Sequence, residues 1–101
     1  IMEREGTGPS DILFPSAVDV SAAGWFVVAD LGNSRLQRYD LEGNHLGTIV
    51  PGQVSSELKV QIYDVRVGPD GNIYAVDSKG ARVLVFNPAG ELLREMDGRK
   101  R

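Results

Sequence analysis

Residues 24–43, GWFVVADLGNSRLQRYDLEG, hold an apolar run and a second short run on either side of a polar turn. The first run, residues 25–29, is aromatic and β-branched, which favours a β-strand. It is apolar throughout, as is typical of a strand buried on both faces of its sheet. The second run, residues 36–39, ends at Asp40 and a glycine turn. We therefore expect two antiparallel strands joined by a short loop.

The composition sets limits on the class of protein. The 101 residues suffice for one domain with a modest core, and the apolar and charged fractions, 42% and 25%, are those of a globular protein. The absence of cysteine excludes disulfides, thiolate zinc sites and cysteine nucleophiles. The net charge of −3 argues against a general nucleic-acid binder. No apolar run approaches the roughly 18 residues of a membrane span, and the first residues lack the pattern of a signal peptide. The compartment is left open.

The remaining segments are also short, β-favouring runs, and turn signals separate them every 8–12 residues, which predicts an all-β fold. The expected strands besides 25–29 and 36–39 are residues 17–21, 45–50, 64–67, 73–76, 83–86 and 91–96. We divide the chain into a lead-in (1–15), a first unit (16–50), a connection (51–63), a second unit (64–97) and a basic tail (98–101).

The two units repeat one another at an offset of 47 residues. Gly24 matches Gly71 at this offset, and seven identities fall within residues 18–50: Val18/Val65, Val20/Val67, Gly24/Gly71, Asp30/Asp77, Arg35/Arg82, Gly43/Gly90 and Leu46/Leu93. A period of 40–50 residues with four short strands per unit is the signature of a β-propeller, in which each unit is one four-stranded antiparallel blade.

The first unit resembles an NHL repeat. Residues 15–43 show a proline-led strand, a glycine turn, an apolar strand ending in VAD, a GN-x-R turn, and a strand ending in an aromatic residue and Asp. The second unit is similar but has residues 78–81, SKGA, where the asparagine-bearing turn stands in the first. The resemblance implies a closed ring, usually of six blades, and it is compatible with many functions.

Two blades cannot bury their own outer faces, because repeat architectures need about three or more units for stability. The chain is therefore expected to be part of a longer propeller or to close a ring with other copies of itself. A trimer, giving six blades, is the favoured partner arrangement. The segment Ile1-Met2 aligns, through Met2, with Ile49 and Met96, so the lead-in is interpreted as a remnant of a preceding outer strand that copies exchange.

The turn residues repeated between units are interpreted as structural. Aspartate can accept backbone N–H groups, asparagine tolerates a left-handed backbone, and arginine can pair with an aspartate of its own or the next blade. A polar ring that binds a ligand or metal is the alternative. The residues are Asp30, Asn33, Arg35, Asp77 and Arg82.

Asp19 and Arg66 also align at 47 residues, on the innermost strand of each blade. The resemblance predicts a small apolar residue there. Two interpretations stand: an ion pair between blades, whose value depends on burial, or a charged lining of the central channel that holds an anion, a metal or water.

Loops on a rigid scaffold usually carry recognition, so the inter-blade segments hold the ligand-binding candidates. These are Asp11, Phe14, Gln53, Lys59, Gln61 and Tyr63. His45, the sole histidine, is interpreted as a surface side chain, and Trp25 and Phe26 as core.

The function predicted is a scaffold that binds a protein, a peptide or a glycan. No catalytic residue, metal ligand or cofactor is assigned. The resemblance also allows part of a metal-dependent propeller lyase or lactonase-like enzyme, for which Arg66 opposite Asp19 would disfavour a cation. RNA binding is the third alternative. It needs a basic face, which Arg35, Arg38, Lys59, Lys79 and Arg82 would have to supply.

Overall fold

The computed structural model describes residues 15–30, 34–51, 61–77 and 82–97. These residues form eight β-strands: β1 (Pro15–Ser21), β2 (Trp25–Asp30), β3 (Arg35–Asp40), β4 (His45–Ile49), β5 (Ile62–Val67), β6 (Ile73–Asp77), β7 (Arg82–Phe86) and β8 (Leu92–Asp97). Every strand that the sequence predicts is present, with ends that differ by one or two residues. None of the described residues belongs to a helix long and apolar enough to cross a membrane.

The strands make two four-stranded antiparallel sheets, in the orders β1-β2-β3-β4 and β5-β6-β7-β8. We call them blade one and blade two. Consecutive strands pair throughout, so each sheet is a simple meander. The all-β prediction of two blades is therefore confirmed. The largest differences are at β1 and β5, which begin at Pro15 and Ile62, each two residues before the predicted start, and a register shift lies at the beginning of each strand.

The glycines that align in the two units occupy equivalent turns. Gly24 closes the β1–β2 turn with φ +93°, and Gly71 closes the β5–β6 turn with φ +82°. Their N–H groups donate to the carbonyls of Ser21 and Gly68, at 3.1 and 2.9 Å. A side chain is disfavoured in this left-handed region, which explains why glycine stands at both turns.

The main core lies between the two blades. Blade one contributes Trp25, Val27, Ala29, Leu36 and Ile49, and blade two contributes Ile62, Val65, Ile73, Ala75, Leu84 and Phe86. On the opposite face of blade one, Val28 and Tyr39 are buried with Phe26 against them, and the rings of Phe26 and Tyr39 stack at 5.4 Å. The run 25–29 thus has apolar residues on both faces of its sheet, which is why it does not alternate.

Candidate functional site

One end of both blades gathers most of the sequence-predicted site residues that the structure describes. The register pairs Pro15 with Asp30 and Asp30 with Arg35, so the inner strand β1 begins where β2 ends and β3 starts. Blade two repeats this, with Ile62 paired to Asp77 and Asp77 to Arg82. We call this the loop end, because the β2–β3, β4–β5 and β6–β7 connections all leave the sheets there.

In blade one, a buried ion pair joins the last residue of β2 to the first residue of β3. The Nε of Arg35 donates to Oδ2 of Asp30 at 3.2 Å, and the two side chains are 10% and 0% exposed. A buried carboxylate needs such a partner, because an unpaired charge there would carry a large desolvation penalty. Of the two pairings that the sequence leaves open, the structure shows the one within the blade.

Blade two has the same pair with one addition. The Nε of Arg82 donates to Oδ2 of Asp77 at 2.8 Å, and its Nη1 contacts the carboxylate of Glu95 on β8. The hydrogen bond that Arg82 donates to Asp77, with a further contribution from Glu95, raises the pKa of Arg82. Glu95 was not among the predicted site residues. Its position aligns with Thr48 in blade one, so the repeat alone contains no sign of a third partner.

Two ligand-binding candidates, one just before β5 and one within it, lie at the loop end. The N–H of Gln61 donates to Oδ1 of Asp77 at 2.9 Å, which fixes the backbone, while the Gln61 side chain is exposed. Tyr63 is the extra residue of the bulge between Ile62 and Asp64, and it is 67% exposed. The bulge therefore turns a large aromatic side chain away from the core, on backbone anchored beside a buried ion pair.

The channel candidates are not paired with one another in this chain. Oδ2 of Asp19 accepts a hydrogen bond from the N–H of Val67 in blade two at 2.7 Å, and its Oδ1 accepts from the N–H of Val20 at 3.0 Å. Arg66 instead pairs with Asp64 of its own strand at 3.3 Å and is largely exposed. Asp19 does connect the two blades, but its partner is a backbone amide.

Arg38, in the middle of β3, is not a free basic group. The guanidinium of Arg38 lies 4.4 Å from the centre of the Trp25 ring, a cation–π contact, and burial lowers its pKa. Its Nε has no hydrogen-bond partner. With Arg35 and Arg82 held in ion pairs, three of the five side chains considered for an RNA-binding face are engaged within the blades. The other two, Lys59 and Lys79, lie outside the described residues.

His45 is exposed and belongs to a polar network on blade one. Its Nε2 lies 2.8 Å from Oε1 of the buried Gln37 and 3.1 Å from Oγ1 of Thr48. Its ring also meets the edge of Tyr39 at 5.5 Å. Trp25 is in the core between the blades, and Phe26 packs on the opposite face. Gln37 is a buried polar residue that the sequence analysis does not single out. It follows the apolar Leu36 in a short strand, and nothing in that local pattern indicates that its side chain is buried.

Several sequence-predicted residues fall outside the part of the chain that the structure describes. They are Asp11, Phe14, Asn33, Gln53 and Lys59, together with the lead-in residues Ile1 and Met2 and the basic tail, 98–101. Among the described residues, no three His, Cys, Asp or Glu side chains lie close enough to hold a metal ion.

No protein-family model matches the chain, and no curated protein matches its sequence. Solved structures do match its fold. Virginiamycin B lyase from Staphylococcus aureus superposes with a TM-score of 0.67 at 13% identity, over 86% of this chain and 28% of the lyase. Regucalcin, a calcium-binding protein from Agrobacterium tumefaciens strain C58, gives 0.70 at 18% identity, over 86% and 31%. YCF48 bound to D1 peptide gives 0.65 at 11% identity, over 86% and 27%.

These neighbours are β-propeller proteins, so the two sheets are propeller blades. The chain spans less than a third of each neighbour's length. At such low identity the likeness shows the fold alone.

Proposed function

We propose that this chain is an NHL-type propeller segment that serves as a binding scaffold for a protein, a peptide or a glycan, with the ligand held at the loop end. The observation that carries the proposal is Tyr63, a tyrosine two-thirds exposed on a bulge at the start of an inner strand. Exposed tyrosines are favoured in binding surfaces, because the ring offers apolar area and the hydroxyl a hydrogen bond at low cost in side-chain entropy.

The surroundings of Tyr63 support a preorganised surface. Gln61 lies two residues before Tyr63, and its N–H donates a hydrogen bond to Asp77. Asp77 also accepts a hydrogen bond from Arg82. Backbone that is already ordered loses less conformational freedom when a ligand binds, which improves affinity. Gln61 is exposed next to this anchor, so the ordered backbone lies at the surface beside Tyr63.

One structural neighbour supports a peptide as the ligand. YCF48 carries a bound D1 peptide in its solved structure, and it shares the arrangement of blades found here. The NHL assignment rests on residues 15–43 of the sequence. The geometry of the Asp30–Arg35 pair, repeated at Asp77 and Arg82, supports it by giving the repeated polar positions a common structural role.

The test compares two exposed residues at opposite ends of the blades. A displayed peptide library and a glycan array are selected on the wild-type chain, and each hit is measured on Tyr63→Ala and on Leu41→Ala. Leu41 follows β3 at the end away from the loop end and is 60% exposed, which makes it a matched control. We expect Tyr63→Ala to weaken binding by about 30-fold or more, as truncation of a central aromatic does, and Leu41→Ala to leave it unchanged.

The proposal fails if selected ligands bind Tyr63→Ala as well as the wild type, or if Leu41→Ala is the variant that loses them. Retention of β-structure by circular dichroism in both variants shows that the comparison concerns the surface.

A further inference from the structure

The joint between the two blades uses two different faces. Blade two contributes what we call the front face of a blade, with Val65, Ala75, Leu84 and Phe86. Blade one contributes the back face, with Trp25, Val27, Ala29, Leu36 and Ile49. The contact is therefore head-to-tail: the front face of one blade lies on the back face of the blade before it.

Each face in this joint has an equivalent at the 47-residue offset. These equivalents, the front face of blade one and the back face of blade two, have neither of the two described blades against them. On the front face, Val65 of blade two is 0% exposed, whereas its equivalent in blade one, Val18, is 53% exposed. On the back face, Ile49 of blade one is 3% exposed, whereas its equivalent in blade two, Met96, is 42% exposed. Val18 and Met96 are thus exposed where their equivalents are buried, whereas Val28 and Tyr39, on the same front face of blade one, are buried like their equivalents Ala75 and Phe86.

More of the exposed apolar surface belongs to these two faces. Val20, 60% exposed, extends the front face of blade one along β1, and Val76, 37% exposed, extends the back face of blade two along β6. In blade two the residue equivalent to Val20 is Val67, which packs against the core between the blades. Apolar patches of this kind mark interaction surfaces.

We propose that a second copy of this chain covers these faces, with the front face of its blade one on the back face of blade two of the first copy. The inference is independent of the proposed function. The joint within the chain shows how a front face packs on a back face in this repeat, and the second copy would continue the same arrangement.

Charge complementarity at the inner strands favours a copy of the chain as the occupant. Within the chain, Asp19 of the back-face blade meets the N–H of Val67. The residue equivalent to Asp19 in blade two is Arg66, and the residue equivalent to Val67 in blade one is Val20. The N–H of Val20 is already bonded to Asp19 of its own strand. In the proposed joint, Arg66 would stand where Asp19 stands in the internal one, beside the N–H of Val20 and therefore near the Asp19 carboxylate that accepts it, where opposite charges attract.

A head-to-tail contact forms either a closed ring or an open filament, depending on the rotation that relates the copies. This chain covers 27–31% of the length of the three propeller neighbours, so a neighbour is between three and four times as long as the part that it covers. Three copies with two blades each give six blades.

Light scattering of the purified 101-residue chain measures the assembly directly. We expect a particle of three times the chain mass at micromolar concentration. A folded monomer overturns the proposal and assigns the two faces to further blades of a longer chain. A dimer that does not grow with concentration also overturns it, since a head-to-tail contact between two copies leaves one joint open.

Paired variants test which faces meet. Val18→Asp blocks the front face of blade one, and Met96→Asp blocks the back face of blade two. Both residues are already exposed, so the fold of a single copy should survive the change. We expect each variant alone to be monomeric and an equal mixture to form a heterodimer through the one intact pair of faces. A trimer in either variant, or no heterodimer in the mixture, contradicts the head-to-tail arrangement, and Leu41→Asp is the control that stays trimeric.

Reversal of one charge tests the inner-strand pair. Arg66→Glu would place two carboxylates together at each joint. We expect the variant trimer to dissociate at a protein concentration at least about 10-fold higher than that at which the wild-type trimer dissociates. Arg66→Lys keeps the charge and should dissociate within a few-fold of the wild type. Equal dissociation of both variants and the wild type contradicts the assignment of Asp19 as the partner of Arg66.

Discussion

The carboxylate of Asp19 accepts the backbone N–H of Val67 across the joint between the blades, with 2.7 Å between Oδ2 and the amide nitrogen. Its other oxygen accepts the N–H of Val20 on its own strand. One side chain thus satisfies an amide on the innermost strand of each blade. Asp19 therefore fixes the inner strands relative to one another, and this use of both oxygens accounts for a charged residue where the NHL pattern predicts a small apolar one.

Asp19→Ala should weaken the joint, because the N–H of Val67 would lose its partner in a partly buried position. We expect a loss of about 1–3 kcal/mol in the free energy of unfolding, faster hydrogen exchange at the Val67 amide, and weaker assembly. Asp19→Asn retains one acceptor oxygen and should show a smaller loss. Urea unfolding and hydrogen exchange followed by NMR check this, and an unchanged exchange rate at Val67 would contradict it.

Asp77→Ala should be among the most destabilising single changes at the loop end. It leaves Arg82 without its main partner and removes the acceptor for the N–H of Gln61. Breaking a buried pair from one side costs about 3–5 kcal/mol. Asp77→Asn can still accept from Gln61, so its loss should be smaller, and urea unfolding of the two variants separates the contributions. Equal stability of Asp77→Ala and the wild type would show that the pair does not stabilise the blade.

The turn after β3 should make stability depend on pH. The side chain of Asn44, followed by its backbone N–H, holds the pKa of Asp40 below its ordinary value of 3.8. Because the pKa is lower in the folded state, the stabilisation is present above the unfolded value and is lost as pH falls through the folded one. We expect the advantage of the wild type over Asp40→Asn to shrink between pH 7 and pH 3, as measured by urea unfolding.

Blade two supplies the control for this experiment. Asn87 aligns with Asp40, and its Oδ1 accepts the N–H of Glu91 at 2.9 Å in the equivalent turn. An amide is therefore compatible with the turn, and Asp40→Asn should keep the fold at pH 7. An Asp40 carboxyl that titrates at or above its ordinary value by NMR would contradict the prediction.

Leu84→Ala should weaken the core between the blades. Leu84 is 0% exposed on the front face of blade two, and truncation of a buried leucine leaves a cavity that costs about 2–5 kcal/mol. Leu41→Ala removes the same atoms from a 60% exposed side chain and should change stability by no more than about 0.5 kcal/mol. Thermal and urea unfolding compare the two, and similar losses in both would show that the joint contributes little.

The strand pattern could be predicted from the sequence because it depends on local features. Gly24 and Gly71 occupy left-handed turns, and the runs that follow them become β2 and β6. The bulge at Tyr63 was missed, since it depends on how β5 pairs with β6 rather than on the residues of β5 themselves. The contact of Arg82 with Glu95 was missed for the same reason, because it spans two neighbouring strands of the sheet.

By itself, the sequence determined the two units, their four strands each, and the repeated positions of Asp30, Arg35, Asp77 and Arg82. Turn chemistry and apolar periodicity act over a few residues, so they can be seen in the chain without its fold. The tertiary structure alone decided the partner of Asp19. Its carboxylate meets an amide 48 positions away, and that meeting depends on how one sheet lies against the other. The aligned pair Asp19 and Arg66 suggested an ion pair between blades. Within one chain, packing gives Asp19 a backbone partner in the next blade and leaves Arg66 largely exposed.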